Sequence, residues 1–302
     1  MTKEESLKVT AHIGRVIAEN APRVFLAPGD LEKARAGYSE EKLSALRAEG
    51  YYHGDFELFY TMLRFCDGMD LWGRADEDYL KKLFRQARKM DRAAFLADPY
   101  LSEVPAAERR IGNFLLTSAH YERGEFFQYD MPALREETVV PKIGFFTEKV
   151  TFPAVYEGNI PWVSVCPSEV YSMAPDIPAA RGRALVLGLG LGYYAHRIAG
   201  RKEVREITVV EKSPEIIRLF REELLPHFSH RDKICVVEAD AFDFLAHTRP
   251  GEYDFCYADI WEGFTDGAQC YEKILPHEKR LAGTEFRYWI RDEILWYRET
   301  LA

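Results

Sequence analysis

Between Arg183 and Trp261 the chain alternates short apolar runs with amphipathic stretches, and the first run ends in Gly188-Leu189-Gly190-Leu191-Gly192. Runs that are apolar at nearly every position predict strands buried on both faces. Such strands belong to a parallel sheet with helices on either side. ALVLGLGLG gives a first strand and YYAHRIAGR the helix it feeds. EITVVE is a second strand, followed by the helix SPEIIRLFREELLPHF with Pro214 in its first turn. KICVVEAD and YDFCYADIW supply a third and a fourth strand, and FRYWI a fifth. The expected fold class is α/β, a Rossmann-like parallel sheet shortened to about five strands. Glycine suits the first turn because the backbone bends sharply there and comes close to a neighbour that a Cβ would push away.

The chain ahead of this sheet has a different texture. Residues 1 to about 135 predict helices. Thr2 with Glu5 forms a capping box, Ser39 caps EEKLSALRAEG and Gly50 stops it. DEDYLKKLFRQARKMDRAAFL and PAAERRIGNFLLTSAHYERG are expected to be helical as well. From Val139 the residues turn β-branched and aromatic, and Glu157-Gly158-Asn159 separates VTFPAVY from IPWVSV as a hairpin. Pro153 and Pro161 should lie on an edge or at strand ends, since neither donates to a ladder. PSEVYSMA is expected to be a short helix capped by Ser168. The expected division is therefore a helical N-terminal domain over residues 1–137 and a hairpin plus Rossmann-like domain over 138–302.

Composition narrows the classes. Of 302 residues, 47% are apolar and 14% aromatic, enough to pack large cores. A formal charge of −9 argues against a duplex nucleic-acid binder, which would neutralise phosphates with Lys and Arg. Cys66, Cys166, Cys235, Cys256 and Cys270 are dispersed, without C-x-x-C or clustering with His. They suit buried thiols in a reducing compartment, so neither a disulfide frame nor a metal site is expected. No secretory signal or long apolar span is evident, and a cytoplasmic protein without membrane partners is expected.

Three strand tips carry the candidate ligand chemistry. Gly188, Gly190 and Gly192 form the first. Glu211 ends the second strand, where an acidic side chain accepts hydrogen bonds from ribose hydroxyls, and Lys212 follows it in the candidate binding set. Asp240-Ala241 ends the third, where a carboxylate accepts from an adenine amino group and the next amide addresses a ring nitrogen. Asp240 is equally suited to cap the helix AFDFLAHT. Gly190-Leu191-Gly192-Tyr193-Tyr194-Ala195 also fits the dinucleotide fingerprint G-x-G-x-x-A. A nicotinamide dinucleotide, however, usually needs a second nucleotide-binding half, and only about 40 residues follow the fourth strand. S-adenosylmethionine is the better expectation.

VLGLGLGYYA, ITVVEKSPEII, VVEADAFDFL and YDFCYADIW together resemble the class I S-adenosylmethionine-dependent methyltransferase fold, and within it the spermidine-synthase-like branch. The resemblance covers about residues 150 to 290 and includes the preceding hairpin. It implies that Gly188, Gly190 and Gly192 pass under the methionine part of the ligand, that Glu211 holds the ribose, and that Asp240 with Ala241 holds the adenine. The sequence departs from the pattern in one respect. Val186, Leu187, Leu189 and Leu191 are all apolar where the family has an acidic residue in or just ahead of the glycines, so the ligand's amino group is either anchored from elsewhere or held more weakly. Asp259 matches a catalytic position, but Ile260-Trp261-Glu262-Gly263 does not continue as aminopropyl transferases do, which disfavours polyamine synthesis.

Methyl transfer requires a positioned nucleophile and, where that nucleophile carries a proton, a base. Asp259 is the candidate base and Trp261 a candidate wall of the substrate pocket. The expected activity is methyl transfer from S-adenosylmethionine to a small-molecule acceptor. The alternatives are an NAD-dependent oxidoreductase and a non-catalytic S-adenosylmethionine binder. FRYWI would be an open edge unless a homodimer or the N-terminal half covers it.

Overall fold

A computed structural model describes residues 1–301. The chain forms two compact units, each made of two segments: 1–95 with 120–151, and 96–119 with 152–302. A single cut at 137/138 does not reproduce this grouping, because residues 96–119 leave the first unit and pack with the second.

In the first unit the cap signals act as expected. Thr2 Oγ1 accepts from Glu5 N and Glu5 Oε2 from Thr2 N, opening the helix Lys3–Asn20. Ser39 caps Glu40–Glu49, which Gly50 closes at φ +91°. Phe56–Gly68 and Glu77–Gln86 bury Phe59, Met62, Phe65, Leu83 and Phe84 against Phe126 and Ile143. The long helix expected from residue 76 stops at Gln86. Arg88–Met90 instead pairs in parallel with Lys142–Phe146, which pairs antiparallel with Phe127–Asp130.

The second unit begins with a further correction. Arg109–Ile111 and Phe114–Tyr121 are strands, not a helix. Ile111 pairs with Phe114 across Gly112-Asn113, and Gly112 takes φ +57°, so the chain reverses in two residues. These strands belong to a four-stranded sheet with Val150–Glu157 and Ile160–Ser164, which form the expected hairpin about Gly158 at φ +61°. Pro161 lies in the edge strand as expected. Pro153 sits in a strand with neighbours on both sides, and its carbonyl accepts from Val165 N. The helix after the hairpin, α1 (Pro167–Met173), starts from Cys166 with Pro167 in its first turn and has no side-chain cap from Ser168.

The main sheet comprises β1 (Gly182–Leu187), β2 (Val204–Glu211), β3 (Ile234–Glu238), β4 (Phe255–Ala258) and β5 (Glu285–Tyr288), all parallel, in the order β3-β2-β1-β4-β5. Between them run α2 (Tyr193–Ala199), α3 (Pro214–Leu219), α4 (Ala241–His247) and α5 (Phe264–Arg280), and α6 (Arg291–Leu301) follows β5. This is the shortened Rossmann-like sheet expected from the alternation. Its strand order reverses between β1 and β4, and beyond the carboxyl ends at such a reversal is where open α/β sheets bind ligands. Val186, Ile207, Val209, Phe255 and Tyr257 pack with Tyr194, Ile198 and Phe220, and Tyr100, Val104 and Leu116 join the same core. Tyr100 Oη donates to Leu191 O at 2.8 Å, tying segment 96–119 to the glycine turn.

Candidate functional site

The three glycines at the tip of β1 do different work. All have positive φ: +97° at Gly188, +52° at Gly190 and +75° at Gly192. A Cβ at Gly188 would lie 1.9 Å from the carbonyl oxygen of Asp259, and one at Gly192 would lie 2.4 Å from the Phe220 ring. Both are therefore demanded by packing, Gly188 by the close approach of two backbones where the strand order reverses. A Cβ at Gly190 meets only Val163, at an ordinary 3.5 Å. It is the glycine with room beside it.

Glu211, at the tip of β2, is buried, and its carboxylate is held by two backbone amides. Leu189 N donates to Oε2 at 3.2 Å and Ser213 N to Oε1 at 2.8 Å. One carboxylate thus ties the glycine turn to the start of α3. Lys212 beside it is exposed. At the tip of β3, Asp240 caps α4, its Oδ1 accepting from Phe242 N at 2.8 Å and Asp243 N at 3.1 Å. The capping role raised from the sequence is therefore present. Asp240 is exposed and Ala241 buried.

Asp259 follows β4 directly, with its backbone N–H donating to Leu187 O at 2.9 Å. Its carboxyl is pushed well above the usual carboxylate range, first by burial and then by the like charge of Glu169. Burial raises Glu169, in α1, to about 7. Beneath them Tyr257 is fully buried, its ring stacked on Tyr194 with centroids 3.6 Å apart, and its hydroxyl has no hydrogen-bond partner. Trp261 is 7% exposed, with its indole N–H buried and unpartnered; a Cβ at Gly267 would sit 3.0 Å from its ring. Packing therefore holds Trp261 between the loop and α5. Glu169 was not among the residues expected from the sequence. It lies in a seven-residue helix ahead of the sheet, with no glycine run or strand tip to mark it.

Among the described residues no group of three or more His, Cys, Asp or Glu could hold a metal ion, and no helix is long and apolar enough to cross a membrane. No family model and no curated protein matches the sequence. Solved structures do match in fold. The chain is similar to the 23S rRNA methyltransferase ErmE at 24% identity and a TM-score of 0.31, over 39% of this chain and 44% of that one. It is similar to a precorrin 8W decarboxylase of Methanobacterium thermoautotrophicum at 20% identity and a TM-score of 0.33, over 44% and 70%. A third likeness is to spermidine synthase from Thermotoga maritima at 13% identity and a TM-score of 0.31, over 41% and 50%. The chain spans about half the length of the first and third. These likenesses concern the fold alone. They also correct one expectation. A 23S rRNA methyltransferase is among the structures matched, so excluding nucleic acid in favour of a small-molecule substrate does not stand. A negative total charge does not prevent a local basic patch.

Proposed function

We propose that the protein binds S-adenosylmethionine across the tips of β1, β2 and β3 and transfers its methyl group to an acceptor of undetermined class. The observation that carries this reading is Glu211: a buried carboxylate at the tip of the second strand, oriented by Leu189 N and Ser213 N. Each of its oxygens keeps a lone pair for a ribose hydroxyl. Gly190 leaves room for the ligand beside the turn, with Gly188 and Gly192 shaping that turn. Asp240 and Ala241 address the adenine, and Lys212 lies at the rim. Bound there, the ligand supplies a methyl group activated on a sulfonium. Asp259, at the reversal of strand order, is the candidate to take a proton from the acceptor, and burial raises its proton affinity. Trp261 backs the pocket.

A thermal-shift titration tests the ligand. S-adenosylhomocysteine at roughly 100 times Kd should stabilise the protein by about 2.7 kcal/mol, whereas NAD at the same concentration should not. Stabilisation by NAD alone would replace this reading with the oxidoreductase one.

A further inference from the structure

An α-ammonium is held most strongly by a carboxylate, and the glycine turn has none: Leu187, Leu189 and Leu191 are apolar. Two carboxyls lie elsewhere in the same unit and act on each other, Glu169 in α1 and Asp259 beyond β4. Neither forms an ion pair or a side-chain hydrogen bond among the described residues, and neither has a protein cation among the influences on its charge. Two half-buried carboxyls without a counter-charge are costly to ionise together, and an incoming cation relieves that cost. An independent observation comes from Tyr257. It lies in β4, two residues before Asp259. Its hydroxyl is buried and unpartnered, and Asp259 and Glu169 are both among the charges acting on it. A buried hydroxyl in that position lacks a polar partner that a ligand or an ionised carboxylate would supply.

We propose that Glu169 anchors the ammonium group of the amino-acid end of the ligand, replacing the acidic residue absent from the glycine turn. Tyr257 supports the ionised carboxyl pair, and Asp259 remains the base. The assignment rests on the adenosyl-sulfur reading of the site. Seating the ammonium ionises Glu169, so the proton held by its protonated fraction, which grows below about pH 7, passes to the buffer. The ligand keeps its own protons, and no other bond is made or broken.

Calorimetry with two ligands tests this. S-adenosylhomocysteine carries the ammonium, whereas methylthioadenosine shares the adenosine and thioether but lacks it. Glu169→Gln should weaken S-adenosylhomocysteine at least tenfold and change methylthioadenosine less than twofold. In the parent protein, binding of S-adenosylhomocysteine at pH 6.5 should release protons, seen as a heat that varies with the buffer's ionisation enthalpy. Glu169→Gln should abolish that variation. If both ligands bind the parent and the variant alike, the anchor is overturned and the adenosyl site stands. Equal weakening of both ligands by Glu169→Gln also overturns the anchor, since the effect would then be structural. If neither ligand binds the parent protein, the adenosyl reading fails and the anchor fails with it.

Discussion

Glu169 and Asp259 are acids whose proton affinity rises on folding, and this fixes the sign of their effect on stability. A carboxyl raised from the usual range to about 7 binds more protons in the folded state, so its contribution falls as pH rises from near 4.5 through 7. Asp259 shifts in the same direction and adds to the loss. Tyr257 interacts with the pair but stays protonated, as does Tyr194 stacked on it, and Asp176 is raised by burial against the opposing pull of Arg287 and Arg291. Glu169→Gln removes one of the two charges. Its melting temperature should match the parent near pH 4.5 and exceed it at pH 8, by roughly 2–4 °C for each kcal/mol regained. Melting curves at the two pH values check this, and a variant less stable at pH 8 would contradict it. That outcome would show the ionised carboxyls to be favourably placed without a ligand. Glu211 was legible in the sequence because a strand tip announces its place. Glu169 was not, because its environment is made by contacts distant along the chain.

At the level of elements, the glycine turn separates two reasons for the same residue. Gly188→Ala drives a Cβ into a backbone carbonyl and keeps φ at +97°, with no side chain free to move aside. A loss of roughly 3 kcal/mol or more is expected from overpacking and strain together. Gly190→Ala meets no close atom and should cost about 1–2 kcal/mol, for its positive φ alone. Urea denaturation of both variants would reveal the order, and a Gly190 variant as damaged as the Gly188 one would mean that the turn is uniformly packed. The sequence made this turn visible, with all five strands of the main sheet, because near-continuous apolar runs have few alternative folds. Residues 109–121 were misread for a physical reason. Leu115, Leu116 and the charged residues before them can be laid on a helical face, but Gly112-Asn113 reverses the chain and commits them to strands. The Gly-Asn pair was the available signal. Ser168 failed as a cap in a similar way: with Pro167 in the first turn, the cap position moved back to Cys166.

For the whole molecule, the decisive feature is that each unit is assembled from two separated segments. Residues 96–119 put Tyr100, Val104 and Leu116 into the core of the main sheet, and Asp98 there accepts from Tyr193 Oη at 3.0 Å and pairs with Arg197. A fragment of residues 138–302 lacks Asp98, Tyr100, Val104 and Leu116. It should show no cooperative thermal transition, and loss of Tyr100 alone should cost about 3–5 kcal/mol in the intact chain. A sharp transition of the fragment at the parent's temperature would mean that 96–119 is dispensable. The division at 137/138 came from where helical texture gives way to strand texture, and such a reading sees neighbours in sequence only. The same interleaving bears on how the protein is born. Residues 96–119 leave the ribosome roughly 160 residues ahead of β5, the last strand of the sheet they help to bury. At the pace of synthesis this is on the order of ten to thirty seconds. During that time an apolar segment waits without its counterpart, and the nascent chain should then depend most on a chaperone.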